Sequence, residues 1–247
     1  MIRLDKILVE KNFFESRTRA ENAILSGQIK INGLVVTKPS KKIKLDDLIE
    51  ISRNVSKYVS RGAYKLIHAL DEFEIDVKNL TLMDLGASTG GFSQVLLERN
   101  CQKVYCVDVG SNQLHKNILA DKRVINLEKI NIKNLKINHI PEKLDGIVLD
   151  VSFISLTKVI GYLPRFLNEN AFVIALIKPQ FEVGKNNLSK GGIVKNEKLY
   201  SQIISEIKEF AQSINFEWLS CISSPILGGD GNKEFLCFLR KSSGMDV

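Results

Sequence analysis

Apolar residues near the N-terminus recur at helical spacing: Leu4, Ile7 and Leu8 share one face, and Phe13 and Phe14 close the segment. Ser16 stands where a helix cap is wanted. Ala20, Ala23 and Ile24 then form the buried stripe of a second helix that Gly27 stops. "IKINGLVV" puts Asn32-Gly33 between two β-branched runs, the pattern of a hairpin with a type I′ turn. A lysine-rich loop over 38–42 leads to a short strand near 48–51. Beyond residue 80 the pattern changes. Apolar runs predict strands over 81–85, 103–108, 123–127, 144–150, 171–177, 217–223 and 234–240, and amphipathic stretches predict helices over 90–99, 112–120, 155–168 and 196–213. Alternation of this kind predicts an α/β domain with a mostly parallel sheet covered by helices on both faces. The last two strands leave no room for a crossover helix, so they are expected to pair antiparallel at one edge. The expected organisation is a small α+β unit over 1–55, a linker over 56–63 running into a helix near Gly62, and the α/β domain over 64–247.

Composition narrows the class. Hydrophobic residues make up 44% and charged residues 26%, as in an ordinary globular protein. The longest apolar run, Ala171–Ile177, is far short of the roughly 18 residues that a membrane span needs. The N-terminal stretch has no apolar signal region, so a cytoplasmic protein with no membrane partner is expected. Cys101, Cys106, Cys221 and Cys237 form no C-x-x-C pair and read as reduced core thiols, and His68, His115 and His139 are scattered, so no metal is expected. The net charge of +7 is uneven: residues 1–60 hold 12 basic against 7 acidic side chains, which points to a polyanion partner or to a solvated basic face.

The most informative stretch is "LMDLGASTGGFSQVLL", residues 82–97: buried strand, glycine bend, helix start. A P-loop would need a lysine that the bend lacks. A dinucleotide site would need glycine where Ser88 stands. Asp84 followed by Gly86, Gly90 and Gly91 suits S-adenosyl-L-methionine, which carries an amine and a carboxylate rather than phosphates. An acid meets the amine, and helix N-terminal amides meet the carboxylate. Asp108, ending the next strand, lies about where an acid meets ribose hydroxyls. The competing reading is a bend that merely turns the chain.

The segment at the end of the fourth strand narrows the acceptor. "IVLDVSFISL" lacks the proline-proline-aromatic motif of amino methylation, and no cysteine nucleophile lies near for carbon methylation. A hydroxyl remains, and it needs orientation and partial deprotonation, which a lysine held by carboxylates supplies. Asp150 and Lys178 each interrupt the ligand end of an apolar strand; Lys65 in "SRGAYKL" and Glu234 in "GNKEF" complete a set.

Two resemblances build on these residues. "RLDKIL" and "SRTRAENAILSGQIKINGLVV" resemble the S4 RNA-binding domain, which implies phosphate contacts from Arg3, Arg17, Arg19, Lys30, Lys41 and Lys42. Lys65, Asp150, Lys178 and Glu234 match the Lys-Asp-Lys-Glu tetrad of FtsJ-like 2′-O-methyltransferases. With the S4 segment, the full chain resembles the TlyA, or haemolysin A, family. That implies a Rossmann-like class I methyltransferase domain and methylation of a cytidine ribose in ribosomal RNA, large-subunit RNA first and small-subunit RNA in some members. The short chain ends resemble the branch acting on the large subunit alone. It also implies a cofactor site from Asp84, Gly86, Ser88, Thr89, Gly90, Gly91, Phe92, Asp108, Val109, Asn131 and Asp150. The linker departs from the Arg-x-Trp-Val of some members, reading Lys57-Tyr58-Val59-Ser60, so no linker role in cofactor affinity is carried over. Two other readings stand beside this one: a non-catalytic RNA-binding assembly factor and a membrane-active haemolysin.

Overall fold

The computed structural model describes residues 1–14, 16–25, 27–51, 57–194 and 196–243. Their contacts group into two units, Met1–Arg61 and Gly62–Val247.

In the first unit β1 (Ile2–Arg3) leads into α1 (Leu4–Glu10) and α2 (Arg17–Leu25), followed by β2 (Ile29–Ile31), β3 (Leu34–Val35), β4 (Lys42–Ile43) and β5 (Ile49–Ile51). The Ser16 hydroxyl accepts the Arg19 amide at 3.3 Å and caps α2. Gly27, at φ 73°, stops it: the Gly27 amide reaches the Ile24 carbonyl and the Gln28 amide the Ala23 carbonyl, a Schellman closure. Asn32 and Gly33 both take positive φ, as the type I′ hairpin requires. β2 pairs antiparallel with β3 and β5, and β1 with β4. Leu4, Ile7, Leu8, Ala20, Ile24 and Ile29 form the core.

The second unit opens with α3 (Gly62–Glu72). It continues through β6 (Thr81–Leu85), α4 (Gly91–Glu98), β7 (Lys103–Val107), α5 (Lys116–Leu119), β8 (Val124–Leu127), β9 (Leu144–Leu149), α6 (Thr157–Ile160), β10 (Leu167–Ile177), α7 (Lys198–Ser213), β11 (Phe216–Ser223) and β12 (Phe235–Lys241). The seven strands lie in the order β11-β12-β10-β9-β6-β7-β8. β8, β7, β6, β9 and β10 are parallel, and β12 runs antiparallel between β10 and β11. Met83, Tyr105, Ile147 and Val173 pack with Ile160 and Ile207 on one face. The alternate residues Leu82, Val104, Val148 and Ile174 are also fully buried, so both faces are covered. The chain order reverses between β6 and β9, which opens a crevice at the carboxyl ends of those two strands.

Two helices are shorter than their sequence patterns predict. Asp108 and Glu128 capture the amides of Gly110 and Asn112, so the stretch expected as helix 112–120 is helical only over 116–119. The expected helix 155–168 reduces to α6 and a 3₁₀ turn over Pro164–Phe166, because Pro164 lacks the amide that would continue α6. β10 then begins four residues before its apolar run, with Asn168, Glu169 and Asn170 exposed and a register shift between Leu167 and Phe172.

Candidate active site

The bend after β6 is shaped by two close approaches. A Cβ on Gly86 (φ 85°) would stand 2.6 Å from the Asp150 carbonyl oxygen, and one on Gly90 (φ 91°) would stand 2.8 Å from Leu114 Cδ1. At Gly86 the neighbour is main chain, so only glycine tolerates both that backbone and that contact; at Gly90 the left-handed φ is what favours glycine. Gly90 precedes Gly91 and Phe92, the buried first residues of α4, and Thr89 and Ser88 form the outer part of the bend, with Ser88 at φ 47°.

Three acids surround the bend. Asp84 Oδ2 accepts the Ser93 amide at 2.9 Å and the Ser93 hydroxyl at 2.6 Å, while Oδ1 is buried with no hydrogen-bond partner among the described residues. Burial pushes the Asp84 carboxyl up to about 7, against the opposing effect of the Ser93 hydrogen bonds. Asp108 accepts the Ser88 amide on one oxygen at 2.8 Å and the Gly110 amide on the other at 2.7 Å, so it braces the bend from β7. Asp150 follows β9, its amide donating to the Leu85 carbonyl at 3.1 Å. Val109 stands 67% exposed beside Asp108, an apolar surface at the mouth. Asn131 is half-buried, and its side chain caps the turn over Ile132–Asn134 through the Lys133 amide.

The four-residue set resolves into two ion pairs. Lys178 Nζ lies 2.5 Å from Asp150 Oδ1 and 2.7 Å from Ser152 Oγ. Lys65 Nζ, on α3, lies 2.5 Å from Glu234 Oε2, both side chains almost fully buried. The register that pairs Ile177 with Phe235 makes Lys178 and Glu234 the next positions beyond their two strands, so both pairs stand at the edge of the sheet where β10 ends. Sequence reasoning missed Ser152 and Phe153. Phe153 is 90% exposed at φ 64°, its ring 5.0 Å from that of Phe181. The signal was present in "DVSFISL" and "KPQFE": an aromatic three residues after each charged strand end.

In the first unit Asp5 is fully buried, and Arg3 and Arg17 both bond its carboxylate, at 2.8–3.0 Å and 2.6–2.9 Å. Hydrogen bonds from Arg3 and then Arg17 hold the Asp5 carboxyl well below the usual carboxylate range. Two of the arginines expected to grip RNA therefore also fasten α1 to α2. Arg19 is half-buried on α2, whereas Lys30, Lys41 and Lys42 are exposed.

This strand order, with a glycine bend at its switch point, defines a Rossmann-like class I methyltransferase. The chain belongs to the FtsJ-like methyltransferase family, whose model matches residues 58–241, and an S4 domain matches residues 2–49. It is 39% identical over 236 residues to "Hemolysin A" of Brachyspira hyodysenteriae, covering 95% of this chain and 98% of that one. It is 36% identical over 239 residues to the 16S/23S rRNA (cytidine-2′-O)-methyltransferase TlyA of Mycobacterium tuberculosis, covering 96% and 89%. A solved structure from Streptococcus thermophilus that carries a hemolysin name superposes with a TM-score of 0.78 at 34% identity, over 98% of this chain and 89% of that one. Among the described residues no helix is long and apolar enough to cross a membrane.

Proposed function

We propose that this chain transfers the methyl group of S-adenosylmethionine to the ribose 2′-hydroxyl of a cytidine in ribosomal RNA. The observation that carries the reading is Lys178, held between Asp150 and Ser152 at the same sheet edge as the Lys65–Glu234 pair and beside the bend whose Gly86 touches Asp150. The bend fits the cofactor: its glycines leave room for close approach, α4 presents N-terminal amides, and Asp84 keeps one oxygen without a partner for a cationic amine. Asp108 has the position and the acceptor oxygens for ribose hydroxyls, with Val109 as an apolar face next to it. Adenosylmethionine, when bound, supplies a sulfonium methyl group. Lys178 Nζ is placed to take the proton of the acceptor hydroxyl as that oxygen attacks, while Asp150 and Ser152 fix Nζ and the buried Lys65–Glu234 pair stands at the same sheet edge. Phe153 offers an exposed aromatic face on which the acceptor base can stack. The curated Mycobacterium tuberculosis relative, named for this reaction, supports the acceptor assignment.

The test is radiolabelled methyl transfer into isolated ribosomal subunits, with the modified nucleotide mapped by mass spectrometry. Lys178→Ala should lower kcat by about 10²–10⁴-fold while calorimetry finds cofactor affinity nearly unchanged. Asp108→Ala should weaken cofactor binding first, because it removes a ribose acceptor and releases the Ser88 and Gly110 amides. A Lys178→Ala rate within a few-fold of wild type would sink the assignment.

A further inference from the structure

The turn before β12 holds two residues that take no part in the proposed methyl-transfer chemistry. Gly228 is buried and lies outside the left-handed region, so its backbone does not demand glycine. Its surroundings do. A Cβ on Gly228 would stand 2.5 Å from Glu234 Oε1 and 3.0 Å from Glu234 Cδ. The missing side chain is what lets the Glu234 carboxylate rest against the turn with its other oxygen 2.5 Å from Lys65 Nζ. Asn232, 1% exposed, locks the turn in place. Its main-chain carbonyl accepts the Gly228 amide at 2.8 Å, and the Gly231 amide returns to the Gly228 carbonyl at 3.1 Å. Its side chain reaches outward, Oδ1 accepting the Val194 amide at 3.0 Å and Nδ2 donating to the Gly192 carbonyl at 3.0 Å. Those two groups belong to a tight loop closed by the Leu188–Val194 bridge and the Ser189 amide to the Ile193 carbonyl. A buried asparagine with both ends of its amide engaged anchors a turn whose inner surface is moulded to one carboxylate.

We propose that Gly228 and Asn232 are positioning residues for the Lys65–Glu234 pair: Gly228 makes the seat for the carboxylate and Asn232 holds that seat against the 188–194 loop. The proposal rests on the reading of Lys65 and Glu234 as part of the methyl-transfer site. Neither residue meets substrate; each acts through Glu234. An added methyl group at 228 pushes the carboxylate away from Lys65. Asn232→Asp keeps the acceptor for Val194 but sets an oxygen against the Gly192 carbonyl, which loosens the turn.

The experiment is methyl transfer into ribosomal subunits by the full chain, with Gly228→Ala and Asn232→Asp each made in the wild-type and Glu234→Ala backgrounds. In the wild-type background each should lower kcat by about tenfold or more, since small misplacements of reacting groups are expensive, with cofactor affinity and KM for subunits within about twofold. In the Glu234→Ala background each should change the residual rate by less than about twofold, because no carboxylate is left to displace. Equal losses in both backgrounds, or no loss in either, would overturn the proposal. So would loss of cofactor binding in both single variants, which would make the turn a support for the fold alone. A wild-type rate for Glu234→Ala by itself would instead remove the underlying reading of the Lys65–Glu234 pair, and the proposal with it.

Discussion

Asp84 is the residue at which stability and binding pull in opposite directions. Its carboxyl sits at the end of β6 with one oxygen unpartnered among the described residues, and burial raises its pKa from 3.8 to about 7. A carboxyl whose folded pKa lies above its unfolded pKa holds its proton more tightly in the folded state. Its contribution to stability is therefore undiminished below about pH 4 and is lost as pH rises towards 7, by about 4 kcal/mol in all. Asp84→Asn keeps an acceptor for the Ser93 amide and hydroxyl while removing the charge. Denaturant unfolding should find the two proteins similar at pH 4 and the variant more stable at pH 8, with the difference growing between. A difference that does not change with pH would mean that Asp84 is not titrating in that window. An acid kept where its burial costs stability is the kind of local inconsistency expected of a ligand site.

At the scale of elements, regular apolar patterns were enough for the strands. β6, β7 and β9 fall within a residue or so of their apolar runs because strands buried on both faces are written as continuous runs. The glycine bend was readable as well, since Gly86 and Gly90 both take the left-handed backbone and Gly86 also lies against the Asp150 main chain. What escaped the pattern was decided by side-chain capture and long-range pairing: Asp108 and Glu128 shortening α5, and the Leu167–Leu144 pair that starts β10 ahead of the exposed irregularity at Asn168–Asn170. The contacts of the turn at Gly228–Asn232 were unreadable for the same reason, because Glu234 and Val194 come to it only in the fold. Asp5 is a further case. Its place among apolar residues in "RLDKIL" gave no hint that two arginines converge on it. Its depressed pKa means that its contribution is present above the ordinary carboxylate range and is lost as pH falls below it. Asp5→Ala should weaken the packing of α1 on α2 by about 2–3 kcal/mol, the scale of hydrogen bonds to charged groups. Hydrogen exchange should report faster amide exchange in α1 and α2 at pH 7 with the β6–β10 amides unaffected. Unchanged protection would show that Arg3 and Arg17 are held by something else.

Across the whole molecule, charge separates the two units more clearly than any fold feature does. Residues 1–60 carry a net +5 of the chain's +7, although they are under a quarter of its length. Arg3 and Arg17 share their charge with Asp5, so phosphate contacts are better sought at exposed Lys30 on β2, and at exposed Lys41 and Lys42 where the chain enters β4. If these lysines meet RNA phosphates, binding releases counterions, and the slope of log affinity against log salt counts the contacts at roughly 0.7–0.9 each. Reversing all three to glutamate should then weaken binding to ribosomal subunits at low salt and reduce that slope by about 2–3. Adenosylmethionine affinity should not move, because the bend that is proposed to bind it lies in the other unit. Filter binding over a salt series, beside calorimetry with the cofactor, makes both measurements on the same protein. Reversal of Arg17 is a poorer probe, since it would place a carboxylate against buried Asp5 and unfold the unit it was meant to test. A salt slope unchanged by the triple reversal would show that the basic excess is a solvated face, and the hold on RNA would have to be sought in the methyltransferase unit, beginning with the exposed ring of Phe153.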